Sequence, residues 1–186
     1  MLSTPVSLLD RLREPNAGEA WVRFVHLYTP VLYDWSQSFG LQAQDASDLV
    51  QDVFVRLIQQ LPAFRYDPDK SFRAWLKTVL LNLWRNQCRK RRLECMAGAA
   101  VPEVPAAEPE TGFTEEEYRQ RLVGRAMELM QTDFQPLTWQ AFWNCTVLGK
   151  PAAVVATELG MSLANVYVAK SRVLARLRQE LAGLLD

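Results

Sequence analysis

The residues best equipped for chemistry lie between Ser71 and Arg92. Arg73, Lys77, Arg85, Arg89, Lys90, Arg91 and Arg92 share this stretch with Trp75, Trp84 and Asn82. Guanidinium and ammonium groups neutralise phosphates, and indole rings stack on unpaired bases. The combination points to nucleic acid. A second set stands near the C-terminal end. Pro151–Arg172 reads as a short apolar helix stopped by Gly160, then a helix opened by Ser162. Ala156 is small enough for a close crossing, Gly160 tolerates a positive φ at the turn, and Val166 supplies an apolar plug. That spacing matches the DNA-binding helix-turn-helix. With Val166, Ala169 and Val173 turned inward, the other face shows Ser162, Ala164, Asn165, Tyr167, Val168, Lys170, Ser171, Arg172 and Arg176. Arg and Lys match guanine acceptors, Asn matches adenine, and Val or Ala meets a thymine methyl. A third set, Asp48, Gln51 and Asp52, flanks an apolar stripe of Leu49, Val50, Val53, Phe54, Leu57, Ile58 and Leu61. An acidic patch of this kind suits a basic partner helix.

The elements that position these sets read as helices throughout. Strand-like alternation is absent, and Gly and Pro separate long stretches of helical period. One helical block is expected from Glu19 to Gly40, bent or split by Pro30. A second runs from Asp45, taken as its N-cap, to Leu61 before Pro62. A third follows the cap Ser71 and continues to about Arg92. Met96–Thr114 is rich in Ala, Pro and Glu, carries no basic residue, and reads as a linker. Further helices fill Glu115–Leu185. The fold expected is all-α: two small helical domains, residues 1–95 and 115–186, joined by a flexible acidic linker, 96–114, with the helix-turn-helix in the second.

The chain has 186 residues and a formal net charge of zero, which taken alone argues against nucleic acid. The neutrality is a cancellation. Residues 65–92 hold 9 basic and 2 acidic side chains, whereas residues 93–118 hold 7 acidic and no basic ones. Charge asymmetry of this kind marks a basic binding surface beside an acidic segment. No secretory signal or membrane-length apolar run is visible, so membrane insertion is not expected. Cys88, Cys95 and Cys145 form no C-x-x-C pair and read as free thiols in a reducing cytoplasm. His26 has no partner at metal or triad spacing. No phosphate-cradling glycine loop, metal cluster or nucleophile triad appears, so an enzyme, a metal site and a cofactor are not expected.

Taken in order, these pieces resemble the extracytoplasmic-function (ECF) group of bacterial RNA polymerase sigma factors. Asp45–Leu57 resembles that family's region 2.2. Phe64-Arg65-Tyr66, Ser71–Leu76, Asn82-Leu83 and Arg89–Arg92 resemble regions 2.3 and 2.4. The helix-turn-helix resembles region 4. The resemblance implies that Asp48, Gln51, Asp52 and Arg56 dock on the clamp helices of the polymerase β′ subunit. It implies that Phe64, Arg65, Tyr66 and Lys70 capture a flipped base of the −10 element, with Arg73, Trp75, Asn82, Arg85, Arg89 and Arg92 along that element. Ser162 to about Arg178 would read the −35 element, the same domain would sit on the β flap, and the linker would thread through the polymerase. Core polymerase and promoter DNA are the implied partners, with room for an anti-sigma factor. The chain departs from the pattern at Tyr167-Val168-Ala169, where relatives often carry Lys-Ser-Arg, and at Leu81, where an Arg is common. Two rivals remain at this level: a dimeric helix-turn-helix repressor and a helical adaptor.

Overall fold

The computed structural model describes residues 7–14, 16–61, 71–96 and 114–185. Its regular elements are all helical: α1 (Leu8–Arg11), α2 (Gly18–Ser38), α3 (Ala43–Gln60), α4 (Phe72–Met96), α5 (Glu115–Met130), a 3-10 turn (Gln131–Asp133), α6 (Pro136–Thr146), α7 (Ala152–Leu159) and α8 (Leu163–Leu181).

 Four of the helices, α1, α4, α5 and α8, start at a side chain that accepts from a free N–H of the first turn. Ser71 Oγ accepts from Ala74 N at 3.1 Å, and Ser162 Oγ accepts from Asn165 N at 3.1 Å. Thr114 and Glu117 form a reciprocal capping box at the head of α5. Asp45, expected as a cap, lies instead in the first turn of α3, because that helix begins two residues earlier after Gln42.

In the first half of the chain α3 packs against both α2 and α4. Ala46, Leu49, Val50, Val53 and Leu57 of α3 are buried, as are Phe72, Leu76, Val79, Leu80 and Trp84 of α4. At the centre Phe24 stacks on Tyr28 with ring centroids 4.5 Å apart, and Phe72 sits edge-on to both at 6.1 and 5.8 Å. Pairs of this geometry add about 0.5–1.5 kcal/mol each beyond their buried area. Pro30 neither splits nor ends α2, which runs unbroken to Ser38. A proline has no N–H to give to the carbonyl four residues back. That carbonyl, of His26, accepts instead from Arg125 Nε of α5 at 3.0 Å.

The second half is built around α8. Met130, Trp139, Phe142 and Val173 form one apolar cluster. Ala141, Val155, Ala156, Val166 and Ala169 form another, built only of Ala and Val. The two halves also share a core. Tyr118, Leu122 and Ala126 of α5, with Leu181 and Leu184 at the chain's end, join the cluster centred on α2.

Candidate nucleic-acid and protein interface

Three surfaces gather the residues singled out by sequence. The first is the α7–α8 pair. Gly160 closes α7 with φ 62° and ψ 31°, a left-handed conformation that a Cβ would strain. Met161 N then bonds Ala156 O at 2.9 Å, and the chain turns through 105° into α8. A short turn and a crossing of this size are the geometry of a helix-turn-helix. Val166 is fully buried in the crossing, with Ala169 and Val173 nearly so. Ser162, Ala164, Asn165, Tyr167, Val168, Ser171 and Arg172 are exposed, while Lys170 and Arg176 are half-buried. Tyr167 and Val168, at 57% and 53% exposure, are large groups left in water among the polar ones of this face, with Leu163 also exposed at its start.

The second surface is one side of α4. Asn82, Arg85, Arg89 and Arg92 recur at steps of three and four residues, which brings them onto one face, and all are exposed. Arg85 reaches Asn82 Oδ1 at 3.5 Å, and Arg89 reaches Asn86 Oδ1 at 3.0 Å. Trp75 is half-buried against Phe72, at 5.5 Å between centroids. Trp84 is not available for stacking on bases. It is 5% exposed and lies on Phe39 at 5.3 Å, because the helical period that puts Leu76 and Leu80 inward carries it inward too. Arg73 points towards the other half of the chain, where it pairs with Glu115 and lies 4.9 Å from the centre of the Tyr118 ring. Phe64, Arg65, Tyr66 and Lys70 lie outside the described residues.

The third surface is the outer face of α3. Asp48, Gln51, Asp52 and Arg56 are exposed. Asp48 accepts from Gln44 Nε2 and Asp52 from Gln87 Nε2, each at 3.2 Å, while Asp45 pairs with Arg91 of α4. Val55 and Ile58 share the exposed side, at 56% and 54% exposure. Ile58 was expected within the buried stripe. The stripe is narrower than its apolar residues suggest, since α2 and α4 cover only the Leu49–Val53–Leu57 side. Val55 was not singled out by sequence, and its position off the stripe was the available signal.

Burial leaves three groups with altered titration. It pushes the Tyr28 phenol well above its ordinary range, reinforced by Tyr118 beside it, and it pushes Tyr118 up as well. It also raises the half-buried Cys88 thiol, against the opposing charge of Arg91. Among the described residues no three His, Cys, Asp or Glu side chains gather as a metal site, and no single helix is long and apolar enough to cross a membrane.

The fold and these faces define an all-helical protein with a helix-turn-helix, a basic stripe and an acidic–apolar patch. Comparison with known proteins narrows the class. Residues 24–94, covering most of α2 and all but the end of α4, match sigma-70 region 2. The chain is 29% identical to the RNA polymerase sigma factor CnrH of Cupriavidus metallidurans, across 95% of this chain and 94% of that protein. It is 26% identical to the ECF RNA polymerase sigma factor SigE of Mycolicibacterium smegmatis, across 98% of this chain and 68% of that one. A solved structure of CnrH in complex with the cytosolic domain of CnrY matches at 25% identity over 91% of this chain and 92% of that one, with a TM-score of 0.38. The chain belongs to the sigma-70 family, among its ECF members.

Proposed function

We infer that this chain is a promoter-reading subunit of bacterial RNA polymerase, without catalytic chemistry of its own. In this reading the α3 face of Asp48, Gln51, Asp52 and Arg56 docks on the β′ clamp helices. Val55 and Ile58 give that contact an apolar centre with a charged rim, the usual anatomy of a protein interface. The α4 stripe follows the −10 element, with Phe64–Lys70 holding a base flipped out of the stack. Taking a base out costs a few kcal/mol, which pocket contacts offset. The outer face of α8 reads the −35 element in the major groove, where the N-terminal part of a recognition helix meets base edges. Residues 1–95 and 115–186 would thus be the two reading domains and 96–114 their connector. The second domain would rest on the β flap. Trp143, Val147 and Leu148, exposed together at the end of α6, suit such an apolar contact, and an anti-sigma factor is a further protein partner that this reading accommodates.

The observation that carries the reading is the agreement of two independent features on one segment. The stretch that matches sigma-70 region 2 is the one that exposes both the acidic–apolar face of α3 and the basic stripe of α4. The relatives are named sigma factors, and the repressor alternative has no comparable support. The test is reconstituted transcription from core polymerase and a library of promoter fragments. Initiation that depends on this chain and selects a recurring pair of elements is the expected result. Absence of both core binding and selective initiation would overturn it.

A further inference from the structure

Residues at steps of three and four share one face of a helix. With Val166, Ala169 and Val173 of α8 turned into the core, the line directly opposite is Ala164, Val168, Ser171 and Ala175. All four are exposed. The line runs about 16 Å along the axis, carries no charge, and holds no side chain longer than valine. Asn165 stands on one edge of it and Tyr167 on the other, both exposed. The cations of α8 lie elsewhere. Lys170 is half-buried, while Arg172 and Arg176 stand to one side and line a 760 Å³ cleft against α2. Arg178 lies about 20 Å along the axis from Ala164, past the N-terminal turns that meet base edges in a recognition helix.

Short uncharged side chains let a helix come close to the floor of the major groove. A G·C pair presents only polar atoms there: two acceptors on guanine and an amino donor on cytosine. Against Ala164, Val168 and Ala175 those atoms lose water and gain no partner, which costs free energy for each group left unpaired. An A·T pair adds the C5-methyl of thymine, the one apolar group that an unmodified base offers to this groove. Val168 is the largest side chain on the line, and its 53% exposure leaves its methyls free to cover that group. Asn165, three residues earlier on the adjacent edge, has the amide that bonds adenine N6 and N7 together.

We propose, on the basis of the promoter-reading function above, that the −35 element of this chain is centred on A·T pairs, with a thymine C5-methyl packed on Val168 and Ala164 and a neighbouring adenine held by Asn165. Discrimination at the centre then comes from an apolar contact and not from an arginine on guanine. A consequence follows for modified DNA. 5-Methylcytosine carries the same methyl at the same ring position as thymine, so a cytosine placed at the centre is read better once it is methylated.

Base-analogue substitution tests this. Core polymerase with the full chain first selects fragments from a promoter library, and each thymine of the selected −35 element is then replaced in turn by uracil, which differs only by the missing methyl. At one or two central positions uracil should weaken binding about fourfold, the worth of one buried carbon group. Cytosine at such a position should bind more weakly still, and 5-methylcytosine should regain about fourfold over it. Val168→Ala should shrink the thymine–uracil difference, and Val168→Arg should move the selected base there to guanine. A G·C-centred element, equal binding of thymine and uracil at every position, or an unchanged preference in Val168→Arg would overturn the proposal. If the chain confers no selectivity on polymerase, the promoter-reading function fails instead. The same thymine–uracil comparison with the full chain on duplexes alone then decides how α8 reads DNA, and absence of any duplex binding would overturn both.

Discussion

Val166 and Val168 are the same side chain two residues apart on α8, one at 0% and the other at 53% exposure. Truncating each to alanine removes the same atoms from opposite environments. For Val166→Ala, burial is worth about 0.8 kcal/mol per carbon group removed, and the cavity left behind adds to that loss. The buried neighbours Ala141, Val155, Ala156 and Ala169 are short and cannot fill the gap, and Leu159 and Met161 at the cluster's edge can close it only in part. A loss of about 2–3 kcal/mol follows. It should appear first in α7, whose buried contacts are few, as faster amide exchange across Ala152–Leu159. Val168→Ala leaves no cavity, so stability should stay within about 0.5 kcal/mol. Its effect should fall on recognition, through loss of an apolar contact to a thymine methyl.

The assay is chemical denaturation of both variants, paired with binding selection on randomised −35 duplexes. Val166→Ala should weaken binding to all sequences in proportion to the population in which α7 has come loose. Val168→Ala should change preference at one or two positions. If the two variants lose equal stability, the assignment of faces on α8 is wrong. If Val168→Ala leaves the selected sequence unchanged, the exposed face is not the reading face.

Asp48→Lys with Asp52→Lys should abolish core polymerase binding and leave thermal unfolding nearly unchanged, because both carboxylates are exposed; unchanged association in a pull-down would remove the docking face from α3. Arg172→Ala should cost about 1–3 kcal/mol of −35 binding and relax selectivity at one position if the guanidinium reads a base. An equal loss across all sequences, with a shallower salt dependence, would make it a phosphate contact. Tyr28 and Tyr118 predict an alkaline loss of stability. Both phenols have folded pKa values raised above the unfolded value of about 10, so the unfolded chain releases these protons first. Stability should be intact below that pH and fall above it by up to ~1.4 kcal/mol per pH unit for each phenol. Tyr28→Phe should remove one phenol's share of that slope, and an unaltered slope would contradict the burial argument.

Local rules made much of the molecule readable from its residues. Ser71 and Ser162 cap helices because a hydroxyl before an apolar period has little else to do. Gly160 sits at a turn because the short crossing of α7 and α8 needs a left-handed residue there, and Val166, Ala169 and Val173 share a side because helical period dictates it. Errors arose where period alone cannot say how wide the covering neighbour is. Ile58 and Trp84 have similar claims to burial on a helical wheel. Trp84 is covered because Phe39 follows the end of α2, whereas no described helix reaches Ile58. Pro30 leaves α2 in one piece for a related reason: its cost to the helix is local, but the donor that relieves His26 comes from Arg125, distant in sequence.

The contact between the halves was the least legible feature, although its residues were all in view. Tyr118, Leu122, Ala126 and Met130 recur at every fourth position of α5 and form a narrow apolar seam. Nothing in that spacing says whether the seam closes on its own half or on the other. The structure divides it. Met130 packs with Trp139 and Phe142, while Tyr118 turns to α2, so α5 bridges the two cores. The flanking charges carried the missing information in a form that sequence order conceals. Glu115 precedes a helix whose dipole favours an anion there, and Arg121 and Arg125 look like ordinary exposed partners for Glu residues on the same helix. Arg121 and Arg125 meet groups on α2, Arg125 while also pairing with Glu128 of its own helix, and Glu115 meets Arg73 of α4 as well as Arg119. A helix whose charged flanks find partners across the molecule, and whose seam is shared between two cores, is held in place by contacts from both halves of the chain at once.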